Sequence, residues 1–166
     1  YINRKNGHAL VISGVGSIKS AVATMYLNKT FNPGQFVAWI NIGIAGHFQG
    51  PVGTLFQVIK VVNNDNGKSF FPGLRFSKLA KAAELYTVSS PENEFTLPVL
   101  YDMEAAGFCE IAPSLSCNEL TFVLKIVSDT SEQSQSLITK KMIADLFEKN
   151  SAIIDNLVQA VVKIVD

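Results

Sequence analysis

Apolar residues in this chain fall into short runs separated by polar, turn-forming stretches, and the runs follow two different spacings. ALVIS (9–13), FVAWINIG (36–43), TLFQVIKVV (54–62), LYTV (85–88), LPVLY (97–101) and TFVLKIV (121–127) are short and rich in β-branched and aromatic residues, which predicts buried strands. IKSAVATMYL (18–27) and MEAAGFCEIA (103–112) repeat apolar residues every three or four positions, which predicts helices, the second limited by Pro113. FSKLAKAA (76–83) reads as a short helix, and LITKKMIADLF (137–147) and IIDNLVQAVVKIV (153–165) as two amphipathic helices. Alternation of buried strands with helices predicts an α/β fold, a largely parallel sheet covered on both faces.

Punctuation between the runs fits that order. GVGS after ALVIS is a glycine turn into a helix, NPG (32–34) ends that helix, and SDTSEQSQS supplies a polar exit after TFVLKIV. YINRKNGHALVIS reads as a hairpin whose turn holds Asn6-Gly7, with a first strand of only Tyr1 to Arg4. The sequence does not open on methionine, so natural residues upstream of Tyr1 are expected; within residues 1–166 no repeat, linker or second domain is evident.

Composition narrows the partners. At 166 residues with 48% hydrophobic content, one domain can bury a substantial core. Fourteen basic and fourteen acidic residues cancel, so nothing recruits a polyanion, and no apolar run reaches the roughly 18 residues of a membrane span. Neither nucleic acid nor a membrane is an expected partner, and a cytoplasmic location is expected. Cys109 and Cys117 are not spaced as a metal or redox pair, and His8 and His47 stand alone, so no metal and no other cofactor is expected.

In an open α/β sheet ligands gather beyond the carboxyl ends of the strands, where loop amides and helix N-termini converge. Four loops are expected there: SGVGS, NIGIAG, YDMEAAGF and SDTS, with Asp102, Glu104 and Asp129 as their titratable groups. Each has a purely structural reading beside the functional one. Asp102 reads first as a helix cap, Glu104 as a first-turn acid and Asp129 as a turn cap, each contributing about 1 kcal/mol or less. GxGxxK at 14–19 lacks the third glycine of a dinucleotide fingerprint and the lysine placement of a phosphate-binding loop.

Taken in order and spacing, SGVGSIKSAVAT, NIGIAG, DMEAAGF and IVSDTS resemble the nucleoside phosphorylase superfamily, nearest its methylthioadenosine/S-adenosylhomocysteine nucleosidase branch. The resemblance runs from Ala9 over nearly the whole chain and implies a three-layer α/β/α sandwich around a mostly parallel mixed sheet. It implies cleavage of the N-ribosidic bond of a purine nucleoside. Carried over by position, Met103 would lie under the ribose and Glu104 would hold its hydroxyls. Asp129 would assist protonation of the base, Ser128 and Phe95 would orient it, and Gly43, Ala45 and Gly46 would line the cleft. Lys125 falls where relatives often carry a basic residue and would hold the Asp129-bearing loop. A homo-oligomer, most simply a dimer, is implied as well, with Phe70, Phe71 and Phe76 as interface candidates.

The chemistry suits that division. Breaking the glycosidic bond builds positive character on the sugar and negative charge on the base, so an anion at one and a proton donor at the other lower the barrier together. Asp129 would need burial to keep a proton near neutral pH, at a cost of roughly 4 kcal/mol. Two departures from the family pattern stand out: the glutamate that activates water in such hydrolases would lie upstream of Tyr1, and Ile44 replaces a small hydroxyl residue. Only Arg4 and Arg75 are available to bind phosphate, which favours hydrolysis over phosphorolysis. A non-catalytic relative that binds a nucleoside or a protein partner is the alternative. A dinucleotide-binding dehydrogenase is disfavoured because no acid ends the strand FVAWINIG.

Overall fold

The computed structural model of the chain describes residues 1–3, 7–32, 36–73, 75–76, 78–91, 95–131 and 138–165. A small hairpin comes first, β1 (Ile2–Asn3) antiparallel to β2 (His8–Ala9). Of the turn expected at KNGH (5–8), residues 5 and 6 lie outside the described residues, but Gly7 precedes β2 at φ +66°, the left-handed conformation such turns require. Residues 10–14 form no strand, contrary to expectation for ALVIS, and Leu10 and Ile12 are exposed at 62% and 91%.

Helix α1 (Ser17–Phe31) follows and ends on Asn32 in the left-handed region. Strands β3 (Trp39–His47), β4 (Leu55–Asn63), β5 (Ser69–Phe70), β6 (Lys81–Thr87) and β7 (Leu100–Asp102) come next, then α2 (Ala105–Leu115), β8 (Thr121–Thr130) and α3 (Lys140–Val165). The six strands β3 to β8 form one mixed sheet in the order β5-β4-β6-β7-β3-β8, and β8 returns to pair with β4, which curls the sheet toward a barrel. Its long pairings, β3 with β8 and β4 with β6, are parallel; the antiparallel contacts of β3 with β7, β4 with β5 and β4 with β8 are short.

Helices cover both sides of this sheet, so the α/β layering expected from the sequence holds. Alternating residues of β8 divide the core: Val123 and Val127 pack with Trp39, Leu85, Leu100 and the Ala105, Phe108 and Ala112 face of α2, whereas Leu124 and Ile126 pack with Leu146 and Leu157 of α3. The described residues of the FSKLAKAA segment are not helical. Lys81 onward is strand, because its residues pair with β4 from Phe56↔Lys81 to Asn63↔Thr87. Pro113 does not stop α2, which runs on to Leu115. The two C-terminal helices are one, with Asn150 buried at the intended break and its amide donating to the carbonyls of Gly53 at 3.0 Å and Leu146 at 2.9 Å. No helix among the described residues is long and apolar enough to cross a membrane.

Candidate functional site

One rung of the sheet organises the site. Gly46 of β3 lies opposite Tyr101 of β7 on one side and Asp129 of β8 on the other. The pairing of β3 with β8 steps from Ala45↔Val127 to Gly46↔Asp129, so Ser128 is an extra residue, a bulge of the kind that re-aims the side chains around it. Ser128 and Asp129 are both buried, and the Ser128 hydroxyl donates to Asp129 Oδ1 at 2.5 Å, with the Ala45 carbonyl a second acceptor at 3.3 Å.

Gly46 leaves the room that this grouping needs. A Cβ there would collide with Phe95 Cζ, stand 2.7 Å from Phe95 Cε1 and 3.0 Å from Asp129 Oδ2. The buried Phe95 ring therefore rests on the strand backbone beside the carboxylate, tilted against Tyr101 at 5.2 Å between centroids. Met103 packs against the same cluster of Phe95, Tyr101, Val88 and Val99. Ala45, Gly46, Phe95, Met103, Ser128 and Asp129 are thus brought together.

Glu104 arrives from a different direction. Because β7 runs antiparallel to β3, its carboxyl end travels back along β3, so the MEA turn does not share a strand edge with Asp129 as expected for the four loops. SGVGS differs too, since residues 10–14 form no strand leading into it; it opens onto α1. The two turns meet instead: Gly16 N–H donates to Glu104 Oε1 at 2.8 Å, and the Ser17 hydroxyl donates to the Met103 carbonyl at 3.1 Å. Glu104 is half-buried and sets its charge at the amino end of α1, where the helix dipole favours an anion. Close approach of α1 and α2 permits this, because Gly107 touches the Ser17 backbone where any Cβ would overlap it.

Glu104, not Asp102, holds the N-cap position of α2, yet the carboxylate of Asp102 still serves the helix start and does more. Its Oδ2 accepts the Ala105 N–H at 2.9 Å, its Oδ1 accepts the Thr87 hydroxyl at 2.7 Å, and Thr87 Oγ1 in turn accepts the Ala106 N–H at 3.0 Å. Lys125 Nζ pairs with Asp102 Oδ2 at 2.8 Å, with side-chain exposures of 1% and 0%. Lys125 therefore grips Asp102, not the loop bearing Asp129. Its ammonium fills the space beside Gly43, standing 3.0 Å from where a Cβ would be, so Gly43 faces this lysine. A lone lysine inside TFVLKIV was the available signal, since a lysine is almost never fully buried unless paired. Cys109 lies within reach of both charges: burial first and the Asp102 carboxylate second push its thiol up to about 12, with Lys125 opposing.

His47 ends β3 with its ring stacked on Phe56 at 5.8 Å between centroids. Its Nδ1 accepts N–H bonds from Gly50 at 2.7 Å and Gln49 at 3.2 Å, and burial lowers its pKa, so the neutral ring is favoured. Of the proposed interface aromatics, Phe76 packs on Phe122 at 5.7 Å and Phe70 carries Lys68 over its ring at 5.1 Å; Phe71 is exposed. Among the described residues no cluster of three metal-ligating side chains occurs.

This mixed, curled α/β sheet, with its bulged Ser-Asp pair in β8 and its MEA turn at the head of α1, has the fold of solved nucleosidase structures. Solved structures similar to this chain include 5′-methylthioadenosine/S-adenosylhomocysteine nucleosidases, so the resemblance read from the motifs holds for the fold. The S. pneumoniae enzyme, solved with the transition-state inhibitor MT-ImmA, superposes with a TM-score of 0.70 at 20% identity, over 87% of this chain and 77% of its own. That of Colwellia psychrerythraea in complex with adenine gives 0.65 at 18% identity, over 90% and 74%. The apo 5′-methylthioadenosine nucleosidase of Arabidopsis thaliana gives 0.67 at 21% identity, over 95% and 72%. No protein-family model and no curated protein sequence matches the chain.

Proposed function

We propose that this protein cleaves the N-ribosidic bond of a purine nucleoside, by hydrolysis in preference to phosphorolysis. One observation carries the reading: the buried Ser128–Asp129 pair and the Phe95 ring converge on Gly46, and Met103 packs against the cluster that holds that ring, which groups an acid, an aromatic face and a soft apolar surface. The similar structures include nucleosidases bound to adenine and to a transition-state inhibitor, which supports the same substrate class.

Asp129 is the base-side acid in this reading, oriented by the Ser128 hydroxyl, and Phe95 lies along the base. Glu104, held by Gly16 N–H through Oε1, accepts ribose hydroxyls through its other oxygen and stabilises positive character on the sugar. Met103 supports the ribose, and Ala45 and Gly46 give the substrate access to the strand backbone. Gly43 contributes indirectly, by making room for Lys125. The protein works in the cytoplasm as a homo-oligomer, most simply a dimer, without a cofactor. Residues 1–166 act as one domain, a reading supported by the six-stranded sheet around which the helices pack.

Incubation with a panel of purine nucleosides, with and without phosphate, tests this. Release of free base without phosphate is expected. Release only with phosphate would replace hydrolysis by phosphorolysis, and tight binding with no release would select the non-catalytic alternative.

A further inference from the structure

We infer that the buried Lys125–Asp102 ion pair is a positioning device that sets Glu104 against Asp129, an inference that rests on the proposed nucleoside cleavage. Each partner is tied by sequence to one of the two acids: Asp102 stands two residues before Glu104, and Lys125 four residues before Asp129. Their 2.8 Å contact is a direct side-chain link between the strand that carries one acid and the end of the strand that leads to the other.

Three donors converge on the Asp102 carboxylate: Lys125 Nζ, the Ala105 N–H and the Thr87 hydroxyl. Its position is therefore fixed from β8, from α2 and from β6 together. From that anchor the chain reaches Glu104 in two residues, and the Gly16 N–H fixes the far end of the same turn. Glu104 is held between two clamps, one set by the sheet and one by α1. Gly43 completes the device, since a side chain there would push the lysine off its line toward Asp102.

Packing alone does not call for charges here. Two buried ions carry a desolvation penalty that apolar side chains of similar size avoid, so an ion pair is a weak choice for stability. What it supplies is direction: a short charged contact has one good geometry, whereas hydrocarbon surfaces slide. A reaction that needs one acid at the sugar and another at the base is sensitive to their spacing on the scale of about 1 Å.

The test compares the full-length protein with its Lys125→Met, Lys125→Arg and Lys125→Met/Asp102→Asn variants; in the last, the Asn oxygen accepts the Ala105 N–H and its amide nitrogen faces Thr87 Oγ1, which turns from donor to acceptor. Thermal midpoint, kcat and KM for base release are measured for each. The double variant, free of an unpaired buried charge, is expected to unfold near the wild-type temperature yet to lose about tenfold or more in kcat with KM within about threefold. Lys125→Arg, which keeps the charge, should recover most of the loss. Wild-type kcat in the double variant would overturn the inference, as would a loss that tracks the thermal midpoint. Should the wild type release no base from any nucleoside, the proposed function fails, and the positioning role is then read from crystal structures. Displacement of Glu104 from Gly16 N–H in the double variant would support it, and an unchanged 2.8 Å contact would overturn it.

Discussion

Gly107→Ala is a sharp test of how this fold brings its turns together. Alanine is the better helix former by about 1 kcal/mol, so at an ordinary position in α2 the change would stabilise the protein. Here the added methyl would overlap the Ser17 carbonyl oxygen and lie 2.6 Å from its carbonyl carbon and 2.8 Å from its Cα. Those atoms are backbone at the start of α1, and relief requires moving one helix against the other by about 1 Å. Overpacking of this kind costs about 3 kcal/mol, which leaves a net loss of about 2 kcal/mol after the gain in helix propensity. For a chain of this size that lowers the thermal midpoint by about 4 to 8 °C. Urea or thermal unfolding, followed by far-UV circular dichroism against wild type, reads it directly. Glu110→Ala serves as control, since it removes only a solvent-exposed pair with Lys68, worth about 1 kcal/mol or less. A Gly107→Ala protein as stable as wild type would mean that the helices are not in backbone contact and that the Gly16–Glu104 bond has another cause.

Asp129→Asn should reduce the rate of base release by about 10² or more while leaving nucleoside affinity nearly intact, whereas Glu104→Gln should weaken both; equal activity in Asp129→Asn would remove it from the mechanism. Iodoacetamide at pH 8 should label half-buried Cys117 and spare Cys109, whose thiol is buried and pushed up to about 12; mass mapping of native protein that finds Cys109 alkylated first would refute this. Because burial holds His47 below its ordinary 6.5, the unfolded chain takes up a proton that the folded chain resists, so stability should fall as pH drops from about 6.5 toward the lower folded value. Urea melts at pH 7.5 and 5.5 should show a larger decrease for wild type than for His47→Asn, and equal decreases would show that the ring does not govern this window.

Much of the architecture is legible in the chain because its signals are local. TFVLKIV, TLFQVIKVV and WINIG are strands by composition alone, and α1 and α2 announce themselves by spacing and by the glycine turn or acid that precedes them. The misreadings come where partners decide. AKAAELYT has helix-forming residues but lies in register with β4, and pairing outweighs propensity. ALVIS has strand composition, yet Leu10 N–H meets only the Tyr1 carbonyl at the end of a short hairpin, so no strand develops beyond Ala9. Pro113 sits close enough to the end of α2 that a single missing N–H is tolerated.

Within the site, residues adjacent in the motifs were found together, Ser128 with Asp129 and Ala45 with Gly46. Phe95 joins them through a close approach to Gly46 that sequence spacing does not encode. The partner of Lys125 was misplaced for the same reason. A buried lysine announces that an acid must be near, but three carboxylates were candidates, and only the antiparallel entry of β7 brings Asp102 to it.

The additional residue at Ser128 carries an evolutionary corollary. Successive side chains in a strand alternate between opposite faces, so dropping or gaining one codon anywhere from Thr121 to Val127 would flip the acid away from Phe95 even with every motif letter intact. Frame length in β8 is therefore under tighter constraint than letter identity, and homologous strands that accept many apolar substitutions are expected to reject single-residue indels.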